Sequence, residues 1–212
     1  MLPPGYLPAA YAAARAAGAV VIADEVQIGF GRVGDHFWGF EGEGAVPDII
    51  TMGKPIGNGH PMAAVVTTRE IAESFNNGME YFNTFGGSAV SCSVGLKVLE
   101  IIQRDHLREN ALMLGNDLMT RMRRLMDRHP RIGDVRGRGL MLGIELVEGR
   151  LNKVPATAYA ARIVEKCKEY GVLLGTDGPH DNVIKMRPAM VFKAEHADLL
   201  MQVLAKAFDA VE

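Results

Sequence analysis

Cysteine is scarce in this chain: Cys92 and Cys167 are the two among 212 residues. They sit in no paired motif that holds zinc or runs dithiol exchange, so no metal site is expected from them, and a disulfide framework is excluded. A reduced, cytoplasmic setting is the default expectation. No apolar run reaches about eighteen residues, so no membrane-spanning helix is expected. The start of the chain has no charged head followed by an apolar core, and no secretory leader is read there. Charge of one sign is missing as well: 23 Lys and Arg face 25 Asp and Glu, a formal −2. Arg121, Arg123, Arg124 and Arg128 are interleaved with Met122, Leu125 and Met126, the pattern of a solvated helix face rather than a nucleic-acid stripe. Internal repeats and low-complexity linkers are lacking too.

What is present is apolar mass, 48% of the residues, enough for one or two domains with cores. The chain is organised around Val20 to Lys54. An apolar run, Val20-Val21-Ile22-Ala23, ends in Asp24-Glu25, and a second, Asp48-Ile49-Ile50-Thr51-Met52, ends in Gly53-Lys54. Short, partly β-branched runs bounded by glycine, proline or charge read as fully buried parallel strands. Ligands of open α/β sheets sit at the carboxyl ends of strands, so Asp24 and Lys54 are placed to face one pocket. Pyridoxal phosphate needs such a pair: a lysine for its Schiff base and a carboxylate beside its pyridine nitrogen. A desolvated lysine can then also shuttle the proton at the reacting carbon. Taken singly, an Asp at a strand end is more often a cap or turn residue, and a Lys more often solvated.

The surroundings narrow this. Asp24-Glu25-Val26-Gln27-x-Gly29-Phe30-Gly31-Arg32, then Pro47-Asp48-Ile49, then Gly53-Lys54-Pro55-Ile56-Gly57-Asn58-Gly59, resembles the class III aminotransferases, pyridoxal-phosphate enzymes of fold type I. The resemblance implies that Asp24 partners the pyridine nitrogen, Val26 packs on one ring face, Gln27 touches the ring-hydroxyl side, and Lys54 is the Schiff-base lysine. It covers essentially the whole chain but the C-terminal half of the family pattern. The family's usual upstream phosphate loop and ring-covering aromatic have no counterpart here, so a fragment, truncated product or part of a fusion is expected.

The remaining elements follow from local signals. An alanine-rich helix over residues 5–17 is closed by Gly18. His36, Phe37, Trp38 and Phe40 read as an aromatic packing knot. A third strand is expected over Met62 to Thr68, then a helix over 69–75 capped by Thr68, then a long helix over 89–102. Before that helix, Thr84-Phe85-Gly86-Gly87-Ser88 offers amides and hydroxyls that suit an anion, although capping by Ser88 explains the spacing as well. In the resembled family this segment crosses to the partner's cofactor phosphate, which implies that Thr84 is cofactor-binding and that the enzyme is a homodimer with a shared active site. An amphipathic helix runs to His129-Pro130, with Leu107, Leu112, Leu114, Leu118, Met122 and Leu125 on its apolar face. Beyond it are expected a strand over 135–146, a helix over 156–170, short strands over 172–175 and 182–188 flanking a turn, and a helix over 194–211.

The expected architecture is thus α/β: part of a fold-type-I large domain with a mostly parallel sheet (1–103), a connecting helix (104–130) and a small α+β C-terminal domain (131–212). Arg187, before Pro188, is either a surface ion-pair residue or, as the resemblance implies, the ligand of a substrate carboxylate, which a guanidinium matches in bidentate fashion. Two activities fit the resemblance. One is amino-group transfer between an amino acid or amine and a keto acid. The other is phosphate elimination from phosphoethanolamine or phosphohydroxylysine, since Gly57-Asn58-Gly59-His60-Pro61, Gly78 to Thr84 and Asp177-Gly178-Pro179-His180 look like the alanine–glyoxylate aminotransferase-2-like branch that contains such lyases. His60, His180 or Lys185 would hold the phosphate there, or serve as turn and surface residues. Lys185-Met186-Arg187-Pro188-Ala189 departs from the lysine-x-lysine-proline-proline of those lyases and suits a carboxylate instead. A third reading is a catalytically inactive remnant serving as a dimerisation module.

Overall fold

The computed structural model describes residues 2–211. They form two compact units, Leu2–Arg108 and one that begins at Glu109. In the first, α1 (Tyr6–Ala16) is the alanine-rich helix. Gly18 ends it at φ 78°, where its N–H donates to the Arg15 carbonyl at 2.9 Å and that of Ala19 to Ala14 at 3.0 Å, a paired cap for which glycine carries no Cβ penalty. Leu7, Tyr11 and Ala14 turn inward onto Val21 and Ala45. Asp48 ties the helix to the sheet. It accepts from the Arg15 guanidinium at 2.8 Å and from the Val21 N–H at 2.8 Å, and both contacts hold its carboxyl below the usual range.

Strands β1 (Ile22–Asp24), β2 (Ile49–Met52) and β3 (Ala64–Thr67) make a sheet in that order. The β1–β2 pair is parallel, with Asp24 opposite Thr51. Strand β3 runs antiparallel to β2, because the connection after Lys54 brings the chain back without a crossover helix. The two runs expected to be parallel are so, but the strands are not fully buried. Ile22, Val65 and Val66 are 56%, 66% and 53% exposed, since no element of this unit packs over them. The aromatic knot is also differently composed. Phe30 sits 5.5 Å from Phe37 and 5.2 Å from Trp38 between ring centroids, whereas His36 lies beside the Asp35 carboxylate at 3.3 Å.

Helix α2 (Arg69–Phe75) is capped by Thr68, whose hydroxyl accepts from the Ile71 N–H at 3.4 Å. Helix α3 (Ala89–Arg104) is not capped by the Ser88 side chain. The turn before it is instead organised by Asn83, whose side-chain oxygen accepts from the amides of Phe85 and Gly86 at 3.1 and 3.0 Å.

Helix α4 (Leu107–Arg128) enters the second unit. There β4 (Ile132–Arg138), β5 (Met141–Leu146), β6 (Gly175–Asp177) and β7 (Val183–Met186) form an antiparallel sheet in the order β4-β5-β7-β6. The single strand expected over 135–146 is a hairpin, broken at Gly139, whose φ of 50° makes the corner. The strand expected over 172–175 lies later, because Gly175, Thr176 and Asp177 are the residues that pair with β7. Helices α5 (Thr157–Glu169) and α6 (Ala194–Val211) complete the unit. One continuous core joins Leu118, Met122 and Leu125 of α4, Ile144 and Ile184 of the sheet, Ile163 of α5 and Phe208 of α6. Each large apolar side chain so buried contributes about 1.5–3 kcal/mol. The first unit keeps many of its own outside: Met79, Tyr81, Phe82 and Phe85 are 71–84% exposed.

Glu25 is the first unit's buried acid, 2% exposed. Its carboxylate accepts from the N–H groups of Gly39 and Phe40 at 2.8 and 3.0 Å. Burial raises its carboxyl above the ordinary value, against the pull of those two amides.

Two outcomes follow from this division. Amide exchange in β4, β5 and β7 is expected to be slower than in β1–β3 by about tenfold or more, because few buried contacts guard the first sheet; equal protection would contradict it. Glu25→Gln turns one acceptor into a donor facing an N–H and is expected to cost about 1–3 kcal/mol, read by urea denaturation through Trp38 fluorescence. With its folded pKa raised, Glu25 contributes most at acid pH, and that contribution is lost as pH rises through the raised value. Glu25→Gln removes this slope.

Candidate active site

Parallel pairing of β1 and β2 brings their carboxyl ends to one edge. The ladder runs one residue past Asp24, where the Glu25 N–H donates to the Thr51 carbonyl at 3.0 Å. Asp24 is exposed, and its carboxylate accepts from the Val26 N–H at 3.0 Å, the local turn that aspartate builds with the amide two residues on. This turn swings Val26 against the other strand's continuation: a Cβ placed on Gly53 would meet the Val26 methyl groups at 3.6 and 3.7 Å. Lys54 follows directly. It opens a single helical turn, Lys54–Ile56, with Pro55 next, and its own φ is 40°, the left-handed region that costs a non-glycine residue strain. Its side chain is exposed in the first unit.

Asp24, Val26 and Lys54 are therefore gathered at one sheet edge. Gln27 is half-buried in the same turn. Thr84 lies exposed in the segment between α2 and α3. Arg187 belongs to the second unit, exposed just past the end of β7. It helps Lys185 hold the Asp177 carboxyl below its usual range. The side chains considered for phosphate are engaged in part: Lys185 is ion-paired with Asp177, and His60 Nε2 lies 2.9 Å from the Ser91 hydroxyl. The His180 carbonyl accepts from Thr157. Among the described residues no group of three metal-ligating side chains converges. Cys92 is exposed, and burial of Cys167 pushes its thiol up to about 11.

Sequence reasoning passed over Glu25 and Ser91. The alternation of Ala23, Asp24 and Glu25 along a strand carries the signal for Glu25, because period two puts it on the buried side opposite Asp24. Ser91 has no local signal, since its partner is 31 residues away. A carboxylate and a primary amine at one edge, with an aliphatic side chain beside them, suit a protonated ring nitrogen, an aldehyde and a flat ring face.

Comparison with known proteins gives this edge a context. Residues 1–208 match the model of the family described as aminotransferase class-III. The chain is 50% identical over 201 residues to an alanine–glyoxylate aminotransferase 2-like protein of Drosophila melanogaster, covering 93% of this chain and 41% of that protein. It is 51% identical over 203 residues to the mitochondrial alanine–glyoxylate aminotransferase 2 homolog 2 of Arabidopsis thaliana, covering 96% and 42%. Among solved structures, a phospholyase from Arthrobacter in complex with phosphoethanolamine superposes with a TM-score of 0.95 at 44% identity, over 99% of this chain and 50% of that one. A Bacillus anthracis aminotransferase gives 0.91 at 36% identity, over 99% and 49%. The chain thus spans between two-fifths and half the length of these relatives. Over that span it carries the α/β fold of the fold-type-I aminotransferases, and it belongs to the class III aminotransferase family.

Proposed function

We propose that this chain supplies the lysine and the ring-nitrogen carboxylate of a pyridoxal-phosphate-dependent aminotransferase, which moves an amino group from an amino acid or amine to a keto acid. The observation that carries the reading is the shared edge of β1 and β2, where Asp24 and Lys54 end adjacent parallel strands and Val26 lies against Gly53. These residues fit the cofactor: an exposed carboxylate for the ring nitrogen, an amine for the aldehyde, an aliphatic face for the ring. When bound, the cofactor supplies an electron sink for the carbon that bears the amino group.

The chain's own residues then have separate tasks. Asp24 holds the proton on the pyridine nitrogen. Its carboxylate is kept in place by the Val26 amide. Val26 orients the ring, and Gln27 sits beside it in the same turn. The Lys54 amine binds the cofactor and moves the proton at the substrate's reacting carbon. Thr84 is assigned to the cofactor phosphate of a second subunit in a homodimer. The exposed Tyr81, Phe82 and Phe85 around it support a subunit contact there, as large exposed apolar patches do. Arg187 pairs with a substrate carboxylate. A cytoplasmic setting is retained as part of this reading.

A second reading, phosphate elimination from a phosphorylated amine, is favoured by one observation: the Arthrobacter relative, at 44% identity, is a phospholyase in complex with phosphoethanolamine. Arg187 and the Asp177-bound Lys185 argue for the carboxylate-bearing substrate.

The first test is borohydride reduction of the chain with pyridoxal phosphate, followed by peptide mapping. The label is expected on Lys54 and abolished in Lys54→Ala. Labelling scattered over surface lysines would instead assign the chain the role of an inactive or dimerisation piece. Where turnover is measurable, Arg187→Ala is expected to raise KM for alanine by about 10- to 100-fold, the worth of a charged hydrogen-bonded pair. Phosphate release from phosphoethanolamine without amino transfer from alanine would favour the second reading.

A further inference from the structure

We infer that His60 and Ser91 form a positioning clamp that fixes the lysine turn to α3 and so sets the placement of Lys54 relative to the Thr84 segment. The inference rests on the cofactor reading above, but its geometry stands by itself. From Lys54 to Met62 the chain makes a compact double turn. Lys54, Asn58 and Gly59 all have positive φ, at 40°, 44° and 103°. The His60 N–H closes the second bend by donating to the Gly57 carbonyl at 3.0 Å. Two side-chain contacts tie this turn to α3. His60 Nε2 meets the Ser91 hydroxyl at 2.9 Å in a half-buried position. Met62 lies over Gly95, where a Cβ would stand 2.9 Å from the Met62 methyl and 3.0 Å from its sulfur. Ser91 and Gly95 are four residues apart, one above the other on the same helix face. The helix starts at Ala89, directly after the Thr84–Ser88 turn. A displacement of the lysine turn relative to the first two turns of α3 would therefore change the spacing between Lys54 and Thr84.

A serine hydroxyl donates to an imidazole nitrogen that lacks a proton and accepts from one that carries it, so the pair is compatible with either tautomer. Reach discriminates among replacements: the Gln amide nitrogen falls where Nε2 is, whereas that of Asn falls where Nδ1 is.

The test uses the full 212-residue chain and two readouts. The first is amide exchange in residues 56–60, with residues 132–146 of the second unit as the internal standard for folding. The second is borohydride capture of pyridoxal phosphate at Lys54. His60→Ala, Ser91→Ala and the double variant are each expected to lower protection of the turn by about three- to tenfold, the worth of one hydrogen bond. The double variant should lose no more than either single one. Capture at Lys54 is expected to fall in parallel, His60→Gln to restore both readouts, and His60→Asn to restore neither. Unchanged protection in His60→Ala, additive losses, or a loss in His60→Gln equal to that in His60→Ala would overturn the clamp. Absence of Lys54 labelling in the wild-type chain would overturn the cofactor reading instead, while exchange still decides the clamp.

Discussion

The parallel register of β1 against β2 is the constraint on which the first unit depends. Three ladder positions, Ile22 with Ile49, Ala23 with Ile50 and Asp24 with Thr51, decide that both strands deliver their carboxyl ends to the same edge. A slip of one residue would turn Asp24 to the other face of the sheet, because side chains alternate with period two. So short a ladder needs an external fix for its register. Asp48 provides it from the opposite end, by holding the Val21 amide and the Arg15 guanidinium together. At the site end, the Glu25 amide adds one more rung to the Thr51 carbonyl. The acid–amine edge is thus held by two carboxylates that take no part in its chemistry, one half-buried and salt-bridged, the other buried on backbone amides.

Much of this was legible from residue order because the determinants are local. The end of α1 at Gly18, the Thr68 cap and the apolar face of α4, apart from Leu112, which is exposed while Ala111 and Met119 are buried, each need only neighbours within a few residues. The same holds for Asp24 and Lys54, whose strand ends are marked by a change from apolar to charged or glycine residues. What escaped was non-local. The reversal of β3 depends on how tightly the chain turns after Lys54, and the β4–β5 hairpin on one positive φ at Gly139. Capping of α3 looked like the work of Ser88. The structure uses the Asn83 amide oxygen instead, because it reaches two amides at once.

The two units illustrate different routes to order. In the second, helices α4, α5 and α6 and the sheet close one core around Phe208 and Ile144, both fully buried, and hydrophobic burial is sufficient reason for its shape. In the first, a small apolar cluster around Tyr11 is joined by polar fixings: Asp48 on Arg15, Glu25 on Gly39 and Phe40, Asn83 on Phe85 and Gly86. Hydrogen bonds of this kind contribute about 0.5–1.5 kcal/mol each, or about 1.5–3 when one partner is charged. They specify geometry more than they supply stability. A unit built this way keeps strand ends accurately placed while leaving Ile22, Val65 and Phe85 exposed.

The backbone at Lys54 shows why that placement matters. A lysine inside β2 would project to one face of the sheet or the other. A lysine that leaves the strand in a left-handed conformation is instead set past its end. That geometry costs strain of about 1–3 kcal/mol, and it persists only where neighbours over-determine it. Pro55 has no N–H to satisfy and a φ already near the helical value. The Ile56 N–H donates to the Gly53 carbonyl at 3.2 Å across the turn. Gly53 before it is extended at φ −164° and ψ −158°, with Val26 at van der Waals distance from its Cβ position. The strain and the proline thus act together to set Lys54 just past the carboxyl end of β2, the end at which Asp24 closes β1.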